Sequence, residues 1–260
     1  EVETKGFIPM SEVGLTNLPS KGKSYPSSAK ITVRPYSFGE VKRISDSTIS
    51  FGDKISTILS GILTSFDKNV LTFSDITYLG MIRKLNTLGT LKAVYPFNCP
   101  NCGSKQEKIF THDDIEMVDI SAPELPIRVN MSDGQEYIFG PIDFGNLKSI
   151  DAGEFNKYIP SKNMLKDKLA IYALLCKNKK FSEAYKFFSM TTDQGDHEVL
   201  KEIDALLSHD VKPLEATCGE CKSVIDLPLT NAVDLVLPFR SSEESVRDRI
   251  SFGKGTQLSR

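Results

Sequence analysis

Residues 99–104 read CPNCGS and residues 218–223 read CGECKS, so the chain carries two CxxC pairs, Cys99/Cys102 and Cys218/Cys221. Each pair places two sulfurs at the tip of a tight turn. This is the form of a zinc knuckle, in which backbone amides after the first Cys hydrogen-bond to the sulfurs. Four thiolates so arranged hold one zinc ion in a closed tetrahedral site that organises the fold and performs no chemistry. A compact zinc ribbon separates its pairs by roughly 15–20 residues, whereas residues 103–217 lie between these two. The expectation is therefore a ribbon split by an inserted subdomain, with structural Zn2+ on Cys99, Cys102, Cys218 and Cys221. Two separate sites are the alternative.

Disulfides within each pair are a further alternative, but no stretch reads as an apolar signal segment and a fifth cysteine, Cys176, has no mate. A thioredoxin-like pair needs a CxxC that opens a helix after a strand. Here GSKQEKIF after Cys102 and KSVIDLPL after Cys221 read as turn then strand. Cys176 ends the helical run MLKDKLAIYALLC and is expected to be a buried small apolar residue. Lys105 and Lys222 follow their knuckles closely enough to offset the charge of a four-thiolate zinc, although solvated surface lysines explain them as well.

Outward from the knuckles, residues 91–97 and 105–111 predict a hairpin around the first pair, and residues 211–217 and 222–229 one around the second. Between them, LPIRVNM and EYIFGPI flank Ser132, Asp133, Gly134 and Gln135, a strong hairpin signal. Helices are predicted near 162–177, 181–190 and 196–208, the last with Val199, Leu200, Ile203, Leu206 and Leu207 on one face. Before the knuckles, Ile55, Ile58, Leu59, Ile62, Leu63 and Phe66 recur at helical spacing across 53–66. Leu79, Ile82 and Leu85 repeat the pattern after a Thr72-x-x-Asp75 capping box, and Gly89 ends that helix. ITVRP at 31–35 reads as a short strand, with SFGEVKR after it as a polar connection or helix.

The fold class expected is α+β. An extended arm and first strand occupy 1–36, a helical segment 37–90, a split ribbon 91–122 plus 211–238, an inserted α+β subdomain 123–210, and a tail 239–260. The chain opens on Glu1 instead of Met, as for numbering that starts after processing or a disordered segment. Its 260 residues are 40% hydrophobic and 25% charged, ordinary for a soluble protein. The 32 basic and 34 acidic residues give a net charge of −2, without the basic surplus of a general nucleic-acid binder. No run approaches the ~18 apolar residues of a membrane span.

Catalytic motifs do not assemble. Gly22-Lys23-Ser24 resembles the end of a phosphate-binding loop, but Asn17 stands where that loop needs glycine. His112, His197 and His209 sit in polar contexts and form no metal-ligand pair. Asp113 with Asp114, and Glu243 with Glu244, read as polar turns or helix starts. The chain is therefore read as a non-enzyme.

The order of the N-terminal motifs is informative. Leu18-Pro19-Ser20, Gly22, Tyr25, Val33-Arg34-Pro35 and Glu40, followed by a helical pair and a CPxC knuckle, resemble the base-plate hub proteins of T4-like contractile-tailed bacteriophages. The likeness is best over roughly 15–130. It implies a structural protein of the virion tail base plate, assembled in the host cytoplasm, whose partners are other base-plate, hub and tail proteins. No small-molecule substrate is implied. The interaction surface suggested by the resemblance is the arm, with Leu18, Pro19, Tyr25, Arg34 and Pro35, and the C-terminal tail, with Phe239. A transient hub assembly factor absent from the virion is the near alternative. A zinc-ribbon nucleic-acid-binding accessory protein is the other. Against it, Lys105, Lys108, Lys212 and Lys222 are balanced by Glu107, Asp113, Glu215, Glu220 and Asp226.

Overall fold

A computed structural model of the chain describes residues 10–46, 48–49, 51–88, 92–111, 114, 116, 119–149, 168–207 and 214–227. The fold is mixed α+β. Its centre is a three-stranded antiparallel sheet of β1 (Ser11–Val13), β2 (Ile31–Val33) and β3 (Ile62–Thr64), in that order. Val33 faces Ile62 across the β2–β3 pair and both are fully buried. Around the sheet lie α1 (Phe38–Ser45), α2 (Phe51–Leu59) and α3 (Phe73–Leu88). Ser37 and Glu40 form the two halves of a capping box that starts α1.

The helix predicted across 53–66 is cut in two. Ile55, Ile58 and Leu59 do line the buried face of α2, but the helix ends at Leu59 and residues 62–64 are strand β3. The break is at Gly61. Its carbonyl accepts a bond from the Arg34 amide, and a Cβ there would stand 2.1 Å from the Arg83 guanidinium. Leu63, which fits the helical phase, instead points to solvent, as alternation along a strand requires.

Arg83 explains the local geometry. Its side chain is fully buried and runs from α3 under the end of α2, where it donates to the Ile58 and Thr57 carbonyls at 2.5 and 3.3 Å. These are carbonyls that a helix end leaves without partners. Nε also donates to the Arg34 carbonyl at 2.8 Å, and Nη2 to the Glu40 carboxylate at 3.1 and 3.2 Å. Tyr36 stacks 3.9 Å from its guanidinium carbon. Arg34 grips the same carboxylate with two bonds of 2.7 Å each.

The expected extended arm is a correction. Residues 10–36 fold back on their own chain, because the segment's apolar and polar groups find partners far along the sequence. Leu18 is fully buried, and Tyr25 stacks on Phe66 at 4.9 Å. Asp75 accepts from the Ser20 amide at 3.0 Å and from the Tyr25 hydroxyl at 2.5 Å. The capping box at Thr72 is consequently only half formed: Thr72 accepts from the Asp75 amide, while its own amide donates to Tyr25.

After the first knuckle come the hairpin β6 (Ile127–Asn130) and β7 (Glu136–Phe139), then the helices α4 (Phe144–Ser149), α5 (Lys168–Leu175), α6 (Phe181–Met190) and α7 (Gln194–Leu207). Gly134 supplies the positive φ of 77° that the hairpin turn demands. Along α7, Leu200, Ile203 and Leu207 are buried, with Val199 and Leu206 partly so. The inserted α+β region packs onto the N-terminal half, since one hydrophobic cluster draws members from Val13 to Leu207. Backbone bonds stitch the halves together: Phe73 N donates to Ile142 O at 2.7 Å, and Phe144 N to Leu71 O at 2.9 Å.

Glu40 generates a prediction. Replacing it with Gln leaves the buried Arg83 charge uncompensated, which costs about 3–5 kcal/mol and lowers the urea midpoint. Burial pushes the Glu40 carboxyl up, but bonds from Arg34, Ser37 and Ser60 and the charge of Arg83 outweigh it and hold it well below the carboxylate range. The folded state therefore resists protonation. Its advantage is present above the unfolded value of about 4.3 and is lost as pH falls below it. The stability gap between wild type and Glu40→Gln should narrow in acid; a gap constant from pH 7 to 3 would contradict the account.

Candidate metal centre

Two hairpins carry the cysteines. The first is β4 (Lys92–Asn98) with β5 (Lys105–Thr111), and the second is β8 (Leu214–Thr217) with β9 (Val224–Leu227). Their end pairs, Asn98 with Lys105 and Thr217 with Val224, close turns of the same length over 99–104 and 218–223. Backbone bonding repeats as well. Cys99 N donates to Ser104 O and Gly103 N to Cys99 O; Cys218 N donates to Ser223 O and Lys222 N to Cys218 O. The fifth turn position takes positive φ in both, 73° at Gly103 and 61° at Lys222. These are the two hairpins expected around the CxxC pairs: β4 pairs with β5 and β8 with β9, as two two-stranded sheets that meet at their turns.

At that meeting point the sulfurs of Cys99, Cys102, Cys218 and Cys221 all lie within 4.8 Å of one another. The close contacts run across the knuckles, Cys99 to Cys221 and Cys102 to Cys218, each at 3.6 Å. This is far from the ~2.05 Å of a disulfide, and all four thiols are free. A tetrahedral ion with metal–sulfur bonds of about 2.3 Å spaces its ligands by about 3.8 Å. The four residues therefore fit one metal ion held by four thiolates, with no position left open for a substrate.

The electrostatics favour the thiolate at Cys218 and Cys99. Cys218 is pulled down to about 6 by the Ser104 hydroxyl and the Cys221 and Glu220 amides. The Cys102 amide, with the Ser223 hydroxyl and the Asn101 amide, pulls Cys99 down against its desolvation. Ser104 also lowers Cys102, but desolvation and the neighbouring Cys99 and Cys218 thiols outweigh it and leave Cys102 raised. These amide contacts are the ones a knuckle turn should make.

Three residues at the site were not anticipated. Ser104 contacts Cys102 at 3.2 Å and reaches across to Cys218 at 3.5 Å; Ser223 contacts Cys221 at 3.0 Å and reaches across to Cys99 at 3.6 Å. Gln106 touches both knuckles. The repeated pattern CxxCxS carried the signal for the serines. Of the lysines expected to offset charge, Lys222 is tied back to the Gly219 carbonyl at 2.7 Å, and Lys105 is exposed beside the turn.

The other expected site residues are elsewhere. Leu18, Pro19 and Tyr25 are buried within the chain, and Arg34 and Pro35 belong to the Arg83–Glu40 network, so this face of the arm is committed internally. Phe239 lies outside the described residues, as do His112, His209, Asp113, Glu243 and Glu244. His197 is exposed on α7, and Asp114 caps the Thr111 amide and hydroxyl. Cys176 is buried as expected. No helix among the described residues is long and apolar enough to cross a membrane. Comparison with family models, curated proteins and solved structures finds no match.

Thiol titration of the native, metal-loaded protein should leave Cys99, Cys102, Cys218 and Cys221 protected. Chelation should release those four together, and Cys176 should react only after unfolding. Rapid modification of the knuckle thiols without chelation would contradict a shared ion.

Proposed function

We propose that the protein is a non-enzymatic structural component of the base-plate hub of a contractile-tailed bacteriophage, stabilised by one zinc ion. The observation that carries the scaffold reading is the four-thiol cluster, which joins hairpins whose facing cysteines are 116 and 122 positions apart. Four thiolates select a soft tetrahedral ion, and zinc, without redox chemistry, is the one suited to a closed structural site.

The phage assignment rests on motif order, and the structure gives those motifs a common physical purpose. Ser20 and Tyr25 bind Asp75, while Arg34 and Glu40 bind each other and Arg83. The motif residues thus form two networks, both anchored on α3 through Asp75 and Arg83. Other buried or half-buried polar groups are also committed internally: Asp196 accepts from Ser132 and Thr191, and Lys177 binds Asp143. Such internal pairing supports a rigid building block. It also moves the proposed partner contacts away from Leu18, Pro19 and Tyr25 to surfaces the core does not use.

The test is made in the phage that carries the gene. Mass spectrometry of purified tails should find the chain in the base plate, with one zinc per copy. The Cys99→Ser/Cys218→Ser variant should lose the metal and yield no complete base plates. Infectious particles built with that variant would refute the scaffold role. A chain needed for assembly yet missing from finished tails would replace it with a transient assembly factor.

A further inference from the structure

We propose that Gln106 is the positioning residue of the metal centre, a latch that holds the second knuckle against the first and supports Cys218 as a ligand. This rests on reading the four cysteines as one metal site. Gln106 is rooted in β5, just past the first knuckle, and is half-buried. Its Oε1 accepts from the Gly219 amide at 2.8 Å, inside the second knuckle. Its Nε2 donates to Ser104 Oγ at 3.1 Å and to Cys218 Sγ at 3.2 Å. The orientation of the amide is dictated by its neighbours. The Gly219 N–H can only donate, so oxygen must face it and the NH2 group must face the sulfur.

The latch has no counterpart. The two knuckles repeat one another in turn length, backbone bonds, positive φ and serine contacts, yet the position equivalent to Gln106 in the second hairpin is Ile225. An amide group is thus placed on one side of an otherwise two-fold arrangement. Cys218 receives the Gln106 N–H together with the Ser104 hydroxyl, whereas Cys99 has the Ser223 hydroxyl from across the site. An N–H directed at a thiolate withdraws negative charge and fixes the sulfur's direction. Partners of this kind are typically worth about 10–100-fold in metal affinity.

The experiment is a Co2+ titration of the full chain, read by thiolate-to-cobalt charge-transfer absorption, followed by Zn2+ competition. Wild type should show the four-thiolate spectrum. Gln106→Ala should bind about tenfold or more weakly, with the charge-transfer band moved to lower energy because Cys218 has lost an N–H donor. Gln106→Glu keeps an acceptor for Gly219 but sets a carboxylate oxygen beside the sulfur, and should bind more weakly still. Glu107→Ala, on the opposite face of the strand, should match wild type. All variants should share the metal-free unfolding midpoint, since Gln106 lies outside the hydrophobic core. Wild-type affinity and spectrum in Gln106→Ala would overturn the inference while leaving the metal site intact. A lowered metal-free midpoint would overturn it by assigning Gln106 to the fold. Absence of any four-thiolate band in wild type would remove the metal reading itself, and this inference with it.

Discussion

Four sulfurs within 4.8 Å of each other are an electrostatic problem before they are a binding site. As thiolates they repel, and the two hairpins that carry them share no sheet hydrogen bonds to oppose that repulsion. A two-stranded hairpin is marginal alone, so the union of β4–β5 with β8–β9 depends on what neutralises the sulfurs. A cation at the centre converts repulsion into attraction along four bonds. It also closes a long loop that carries half of the buried core residues, and closing long loops is where a cross-link removes most unfolded-state freedom. Ser104, Ser223, Gln106 and the turn amides reduce the charge further, so the surroundings of the sulfurs reinforce what the ion does.

The same logic, with the signs reversed, organises the N-terminal half. Arg83 is a cation in the interior, and its surroundings are a carboxylate, four carbonyls and an aromatic face. The arrangement fixes where α2 ends, where β3 begins and how α1 leaves β2. Buried ion pairs add little net stability but are costly to break. This one works as a device for geometry, because the groups it touches come from α1, the end of α2 and the connection from β2 to α1.

How much of this was legible depended on sequence distance. The knuckles and their flanking strands were readable because turn, ligands and strands lie within a few positions of each other. The β6–β7 hairpin was readable for the same reason, through Asp133 and Gly134. The arm misled because composition is local: its glycines, prolines and serines resemble a linker, and only Asp75, some 50 positions on, turns Tyr25 into a core residue. Ile62, Leu63 and Phe66 misled because three residues can fit a helical phase by accident, and Gly61 was the signal against it. Short α4 was missed although Asp143 caps it through the Asn146 amide. Gln106 was not legible at all, since nothing local distinguishes it from any polar strand residue.

The separation of the cysteines also has a consequence in time. A ribosome adding about 5–20 residues per second delivers Cys218 roughly 10 s after Cys102. Throughout that interval the nascent chain carries half a coordination sphere. Among the described residues the hydrophobic cluster ends at Leu207, ahead of the second knuckle in sequence. A four-thiolate site can therefore be completed only late, when most of the chain that it ties together has already been made.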